Sequence, residues 1–171
     1  EKYSIDWHIE RFKYLTEQLC LYTEKVTISF IDLYTKISHN IKGKNIYELS
    51  YEQKNTLARY FAEIAYSHNI EIDTCAEDID LSSYGITHAR CIDDRLISKL
   101  LHCSIDIEKD KNQRLECGCI ASIDLGLYNT CQNGCIYCYA NHSYAIRKQN
   151  FETYDPFSPL LCSNITEFDK I

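Results

Sequence analysis

The sequence has no methionine, only two prolines, and no apolar run approaching the ~18 residues that a membrane-spanning helix requires. The prolines, Pro156 and Pro159, fall together near the end of the chain and mark an irregular tail. The absence of methionine, with Glu1 in first position, sets the expectation that a longer protein precedes this stretch, so the lack of a leader or transit segment decides nothing. There is no internal repeat and no low-complexity tract, and the fourteen tyrosines are scattered. Excess positive charge is missing too. With a net charge of −7 the chain lacks the Lys/Arg surplus that neutralises phosphates, so nucleic acid is not an indicated partner.

What remains is 171 residues, 45% hydrophobic, enough for one domain with a sizeable core. Ten cysteines admit two readings: disulfides in a secreted protein, or metal ligands and core residues in a cytoplasmic one. The helical segments are long enough to build an ordinary core, and the cysteines crowd towards one end. Both features favour metal ligation and a cytoplasmic location.

Taken in order, Ser4 to Leu21 carries a helix signature. Ser4 or Asp6 caps it, and Ile5, Ile9, Phe12, Leu15 and Leu19 recur at spacings of three and four. Lys25 to Phe30 reads as a buried strand continuing into Ile31 and Asp32. Ser50 and Gln53 form a capping-box pattern ahead of a helix over about 51–68, whose apolar face includes Leu57, Phe61 and Ala65. Ile70 to Thr74 is a second strand, Leu81 to Tyr84 a weak turn stopped by Gly85, and Asp93 or Asp94 starts a helix through Leu101. Cys119 to Leu127 reads as a last strand and Tyr139 to Lys148 as a last helix. This rhythm predicts an α/β fold with a parallel sheet, a partial (β/α) barrel-like fragment. The expected division is a barrel-like half over 1–108 and a cysteine-rich, cluster-binding segment over 109–171, packed as one domain.

Chemistry concentrates in that second segment. Cys131, Cys135 and Cys138 are spaced Cys-x3-Cys-x2-Cys, with Gly134 and Tyr137 between them. Three thiolates satisfy three irons of a four-iron, four-sulfide (4Fe–4S) cluster and leave the fourth open to a small molecule. Zinc sites favour Cys-x2-Cys pairs in a closed set of four, so zinc is the rival reading. Cys117 and Cys119, with Cys75 and Cys91, make a candidate second centre, either a fully coordinated cluster or a zinc site; alternatively one of these, or His142, completes the first. Cys20, Cys103 and Cys162 read as packing residues or leftovers. Function in parallel α/β folds collects at strand carboxyl ends. That rule brings Asp32, Cys75 with Glu77, and the cysteine loop to one face, with Asp124 late in the last strand. Asp32 and Glu77 are the weak catalytic candidates, with ordinary loop carboxylates as the alternative. Lys109, Lys111 and Arg114 read either as a solvated loop or as an anion clamp for a carboxylate or phosphate. The expected partners are a small-molecule cofactor or substrate and an electron donor.

Several runs together resemble a prokaryotic family called domain of unknown function 1848. They are ISFIDLYTK at Ile28–Lys36, TCAE at Thr74–Glu77, Cys91-Ile92-Asp93, KDKNQR at Lys109–Arg114, CGC at Cys117–Cys119, and TCQNGCIYCYAN at Thr130–Asn141. That pattern has His where this chain has Asn133, and members are roughly twice this long, so the resemblance implies a C-terminal part. The triplet is also similar to the cluster motif of radical S-adenosylmethionine (SAM) enzymes, in which the open iron chelates SAM. This likeness implies that Cys131, Cys135 and Cys138 hold the cluster and that Tyr137 flanks the SAM site. In those enzymes the motif follows the first strand; here it comes late. The resulting expectation is a radical-SAM-like enzyme, with a non-catalytic electron-transfer module or a zinc-stabilised binding domain as alternatives.

Overall fold

The computed structural model describes residues 3–163 and 165–168. The chain divides into two compact units. The first comprises Glu1–Asp32 and Glu48–Ser122, the second Leu33–Tyr47 and Ile123–Ile171.

The first unit is built on a three-stranded, all-parallel sheet that does not close into a barrel. Helix α1, Ile5–Leu19, starts where the Ser4 hydroxyl accepts a hydrogen bond from the Trp7 amide at 3.1 Å. Strand β1 is Lys25–Ile28. Helix α3, Tyr51–Ser67, opens with the complete capping box that the sequence predicts: the Gln53 amide donates to Ser50 Oγ, and the Ser50 amide to Gln53 Oε1. It buries Leu57, Ala58, Phe61, Ala62 and Ala65, and Phe12 of α1 stacks on Phe61 at 4.2 Å between ring centroids. Asn69, at φ +57°, ends the helix and turns the chain into β2, Glu71–Thr74.

β1 and β2 pair in register, Val26 with Ile72 and Ile28 with Thr74. Ile28, Ile70 and Ile72 join the α3 face and Ile79, Leu81 and Ile86 in one apolar core. Strand β3, Thr87–His88, pairs with Asp73 and Thr74. At two residues it falls below what a periodicity can show, and the sequence reading missed it. Helix α4, Asp94–Leu101, is capped by Asp93, which accepts from the Arg95 and Leu96 amides.

Two expectations are corrected. Cys119 to Leu127 is not a strand. Ile120 makes a single antiparallel bridge to Lys109, and beyond it Ile123 and Leu125 are over 80% exposed with no sheet partner. Asp124 accordingly lies in a loop, where its carboxylate accepts from the Gly126 amide. The last helix, α5, is Tyr144–Thr153 and not Tyr139 to Lys148, because Ser143 is its cap and the residues before it are drawn into the cysteine loop. β1 also ends at Ile28, so Ser29 to Asp32 run beyond the sheet.

The second unit contains α5, a 3₁₀ turn at Thr35–Ile37, the short helix α2, Ser38–Ile41, and the cysteine loop. No helix among the described residues is long and apolar enough to cross a membrane.

Candidate functional site

The loop carrying Cys131, Cys135 and Cys138 is closed at its neck by one buried residue. Asn129 is 4% exposed. Its amide donates to the Ala140 carbonyl, and its Oδ1 accepts from the His142 and Ser143 amides, all at 2.9 Å. Asn150 Nδ2 donates to the Asn129 carbonyl at 3.1 Å. The backbone there is left-handed, φ +60°, a conformation asparagine tolerates better than most residues.

Within the loop, Cys131 and Cys135 are exposed and Cys138 is half-buried, and all three thiols are free. The Asn141 side chain donates to the Cys131 carbonyl at 2.8 Å, the Cys138 amide to the Cys135 carbonyl at 3.1 Å, and Asn40 Nδ2 to the Cys138 carbonyl at 3.5 Å. The Asn133 backbone amide points at Cys131 Sγ, 3.5 Å away. Glycine suits position 134 because φ there is +65°; a Cβ would stand 3.2 Å from Arg147 Nη1, the far end of that side chain.

Tyrosines frame the loop. Tyr34 meets Tyr137 and Tyr139 edge-on, at 5.8 and 6.2 Å, and Tyr128 meets Tyr139 and His142 likewise. Beside Cys135 opens a cavity of about 260 Å³, whose lining includes Gly134, Asn141, Ser143 and Arg147. Arg147 Nε is buried and has no hydrogen-bond partner among the described residues.

The other four candidate ligands meet in the first unit. Cys75 follows β2, its amide held by the Ile28 carbonyl, and Ala76 at φ +50° turns the chain immediately afterwards. The Ala89 amide continues the β2–β3 pairing by donating to Thr74, and two residues later Cys91 Sγ lies 3.6 Å from Cys75 Sγ. Cys117 and Cys119 arrive on a segment that lies along residues 89–92. Ile120 N–H donates to the Ile92 carbonyl, and Gly118 passes so close that a Cβ would stand 2.9 Å from Arg90 Cγ. Cys119 Sγ accepts from the Cys91 amide at 3.2 Å and the Ile92 amide at 3.4 Å.

The thiols perturb one another. Hydrogen bonding with Cys75, then burial and the nearby sulfurs, pushes the Cys91 thiol up to about 11. Burial raises Cys117. Burial would also raise Cys119, but hydrogen bonds from the Ile92 amide, Cys117 and Cys91 outweigh it and leave that thiol below its ordinary value. Among the described residues, no three or more His, Cys, Asp or Glu side chains already surround a common ion position.

A family model described as "Domain of unknown function (DUF1848)" matches residues 1–140. The chain belongs to this family. The match takes in all seven candidate cysteine ligands and stops short of α5 and Arg147. No curated protein and no solved structure matches the chain.

Elsewhere in this DUF1848 chain the remaining candidates are engaged internally. Glu77 is buried; Oε1 accepts from Ser29 Oγ at 2.9 Å and the Phe30 amide at 2.8 Å, and Lys54 Nζ stands 3.9 Å from Oε2. It thus pins the chain after β1 to the chain after β2. Asp32 pairs with Arg114, Lys111 with Glu108, and Lys109 donates to the Leu115 carbonyl. The basic run is matched by internal acceptors, and the cavity of about 400 Å³ beside it is lined by both signs, Glu108 and Asp110 as well as Lys109 and Lys111. Cys20 donates to the Glu17 carbonyl of α1 and packs against the core.

Sequence reasoning missed Tyr34, Asn40, Asn129, Asn141 and Arg147. Asn129 and Asn141, close on either side of the cysteines, were the available signal; Tyr34 and Arg147 had none, since they reach the loop only through the fold.

Proposed function

We propose that this chain is an iron–sulfur protein in which Cys131, Cys135 and Cys138 hold a 4Fe–4S cluster with one iron open to a small molecule, S-adenosylmethionine being the candidate that the motif suggests. The observation that supports this most is the loop itself: three free thiols at cluster spacing, tied at Asn129, beside a cavity that Arg147 helps to line, its buried Nε having no hydrogen-bond partner among the described residues. The donor set fits, because three thiolates serve three irons and the loop has no fourth cysteine to close the site.

When bound, such a cluster supplies one electron at its open iron, drawn from a separate reduced partner. The chain's own residues provide the rest. Asn129 and Asn141 tie the loop together, the Asn133 backbone amide faces the Cys131 sulfur, and Tyr137 is held edge-on against Tyr34. Arg147 suits a carboxylate on the bound molecule, as a fork of charged donors does.

Anaerobic reconstitution of the full chain, followed by iron and sulfide analysis, tests the cluster. Replacing Cys135 with Ala should bring iron down to background, whereas Cys20→Ala should leave loading intact; equal behaviour of the two rejects the assignment. For the small molecule, the reduced protein's EPR spectrum should change on adding SAM, and 5′-deoxyadenosine should accumulate. An unchanged spectrum and no product would reject the radical chemistry and favour an electron-transfer module.

A further inference from the structure

We infer that Cys75, Cys91, Cys117 and Cys119 form a second metal site, a tetrathiolate for a single divalent ion of the zinc class, sharing no ligand with the loop site proposed above. Three separate backbone pairings bring these residues together. The β1–β2 pairing and its extension to Cys75 position the first thiol. The β2–β3 pairing, carried on by the Ala89 amide, brings Cys91 alongside. The Lys109–Ile120 bridge, with the Asp110 amide on the Cys119 carbonyl and the Ile120 amide on the Ile92 carbonyl, delivers the Cys-Gly-Cys segment. Gly118 permits the final approach, because any side chain there would collide with the stem of Arg90.

The spacing fits two thiolates on one tetrahedral ion rather than on separate irons of a four-iron cluster. On one tetrahedral ion with metal–sulfur bonds of about 2.3 Å, neighbouring sulfurs stand about 3.8 Å apart. Cys75 and Cys91 sulfurs are 3.6 Å apart. In a four-iron cluster each thiolate binds its own iron, so ligand sulfurs stand well beyond mutual contact. A disulfide would need about 2.05 Å, and both thiols are free. Two backbone amides aimed at the Cys119 sulfur are donors of the kind that steady a metal-bound thiolate. The Cys75 and Cys91 sulfurs are in contact and the Cys119 sulfur accepts from the Cys91 amide, but the four sulfurs do not surround one point, so an ion would have to draw them together.

The test uses the full chain with Cys131, Cys135 and Cys138 all changed to Ser, so that it is independent of the iron–sulfur reading. Metal-free, reduced protein is titrated with Co²⁺ and then with Zn²⁺. The expected result is about one Co²⁺ per chain with thiolate charge-transfer and tetrahedral ligand-field bands, displaced by Zn²⁺. Adding Cys91→Ser should weaken binding by more than ~100-fold, since even outer-shell losses reach that size. No tight Co²⁺ binding, an octahedral spectrum, or no effect of Cys91→Ser would overturn the site. So would protein purified without zinc whose mass shows a Cys75–Cys91 disulfide. If Cys91→Ser does not fold, the spectrum and stoichiometry of its parent decide.

Discussion

Asn129→Ala is the sharpest probe of how this chain holds its cysteine loop. The change removes the acceptor used by the His142 and Ser143 amides and places an alanine at φ +60°. Each lost hydrogen bond costs about 1 kcal/mol, and the left-handed conformation costs alanine about 1 kcal/mol more. The sum, about 3 kcal/mol, lowers the ratio of closed to open loop by roughly 100-fold, each 1.4 kcal/mol being tenfold. Hydrogen exchange reads this directly: the amides of residues 142 and 143 should lose protection by that factor. Iron loaded under anaerobic reconstitution should fall in parallel. The single tryptophan, Trp7, lies on α1 in the first unit, so its fluorescence reports on that unit and not on the loop itself. Asn129→Asp keeps an acceptor for both amides and should fall between. Unchanged exchange at 142 and 143, or unchanged iron in the Ala variant, would refute the view that Asn129 closes the loop.

Gly118→Ala should lower the urea midpoint read from Trp7 by an amount equivalent to about 1–3 kcal/mol, the usual range for overpacking. The added Cβ meets Arg90 Cγ, whose guanidinium is tied to Asp94 and resists swinging aside; an unshifted midpoint would mean that the segment over residues 117–119 is free to move away. Asp93 gives a pH dependence. Hydrogen bonding from the Arg95 side chain, partly offset by burial and joined by backbone amides, holds its carboxyl below the ordinary value. A depressed folded-state pKa means stabilisation that is present above about pH 4 and lost as pH falls through the lower folded value. Asp93→Asn keeps a capping side chain but cannot titrate, so its midpoint should lie below wild type at neutral pH and converge on it in acid; parallel curves would reject the account.

The legible parts of the fold were those written in local chemistry. Ser4, Ser50 with Gln53, and Asp93 announce their helices because capping is settled within three residues. The apolar face of α3 and the β-branched runs at β1 and β2 are equally local, whereas of the face expected on α1 only Ile5, Ile9 and Phe12 pack on the core and Leu15 and Leu19 are exposed. The failures share a cause. Ile120, Ile123, Leu125 and Leu127 alternate with other residues as in a strand, but a strand also needs a pairing partner, and residues 123–127 have none among the described residues. Tyr139 to His142 looked helical until Asn129 captured them, a contact across more than ten residues. Spacing and grouping single out the seven cysteines only as candidates. What decides their environment was not legible: the pairing of β3, the clearance at Gly118 and the neighbouring Arg147 are products of tertiary structure.

The second unit is assembled from two pieces of chain, Leu33–Tyr47 and Ile123–Ile171, with Glu48–Ser122 of the first unit between them. A ribosome adding 5–20 residues per second takes about 4–15 s to make that intervening stretch. Through this interval Tyr34, Lys36 and Asn40 have been made, while Tyr137, Tyr139 and Cys138, which they contact in the finished protein, have not. The order of synthesis therefore places loop assembly last. Any ion or cluster that enters at Cys131, Cys135 and Cys138 does so after the parallel sheet has already been translated.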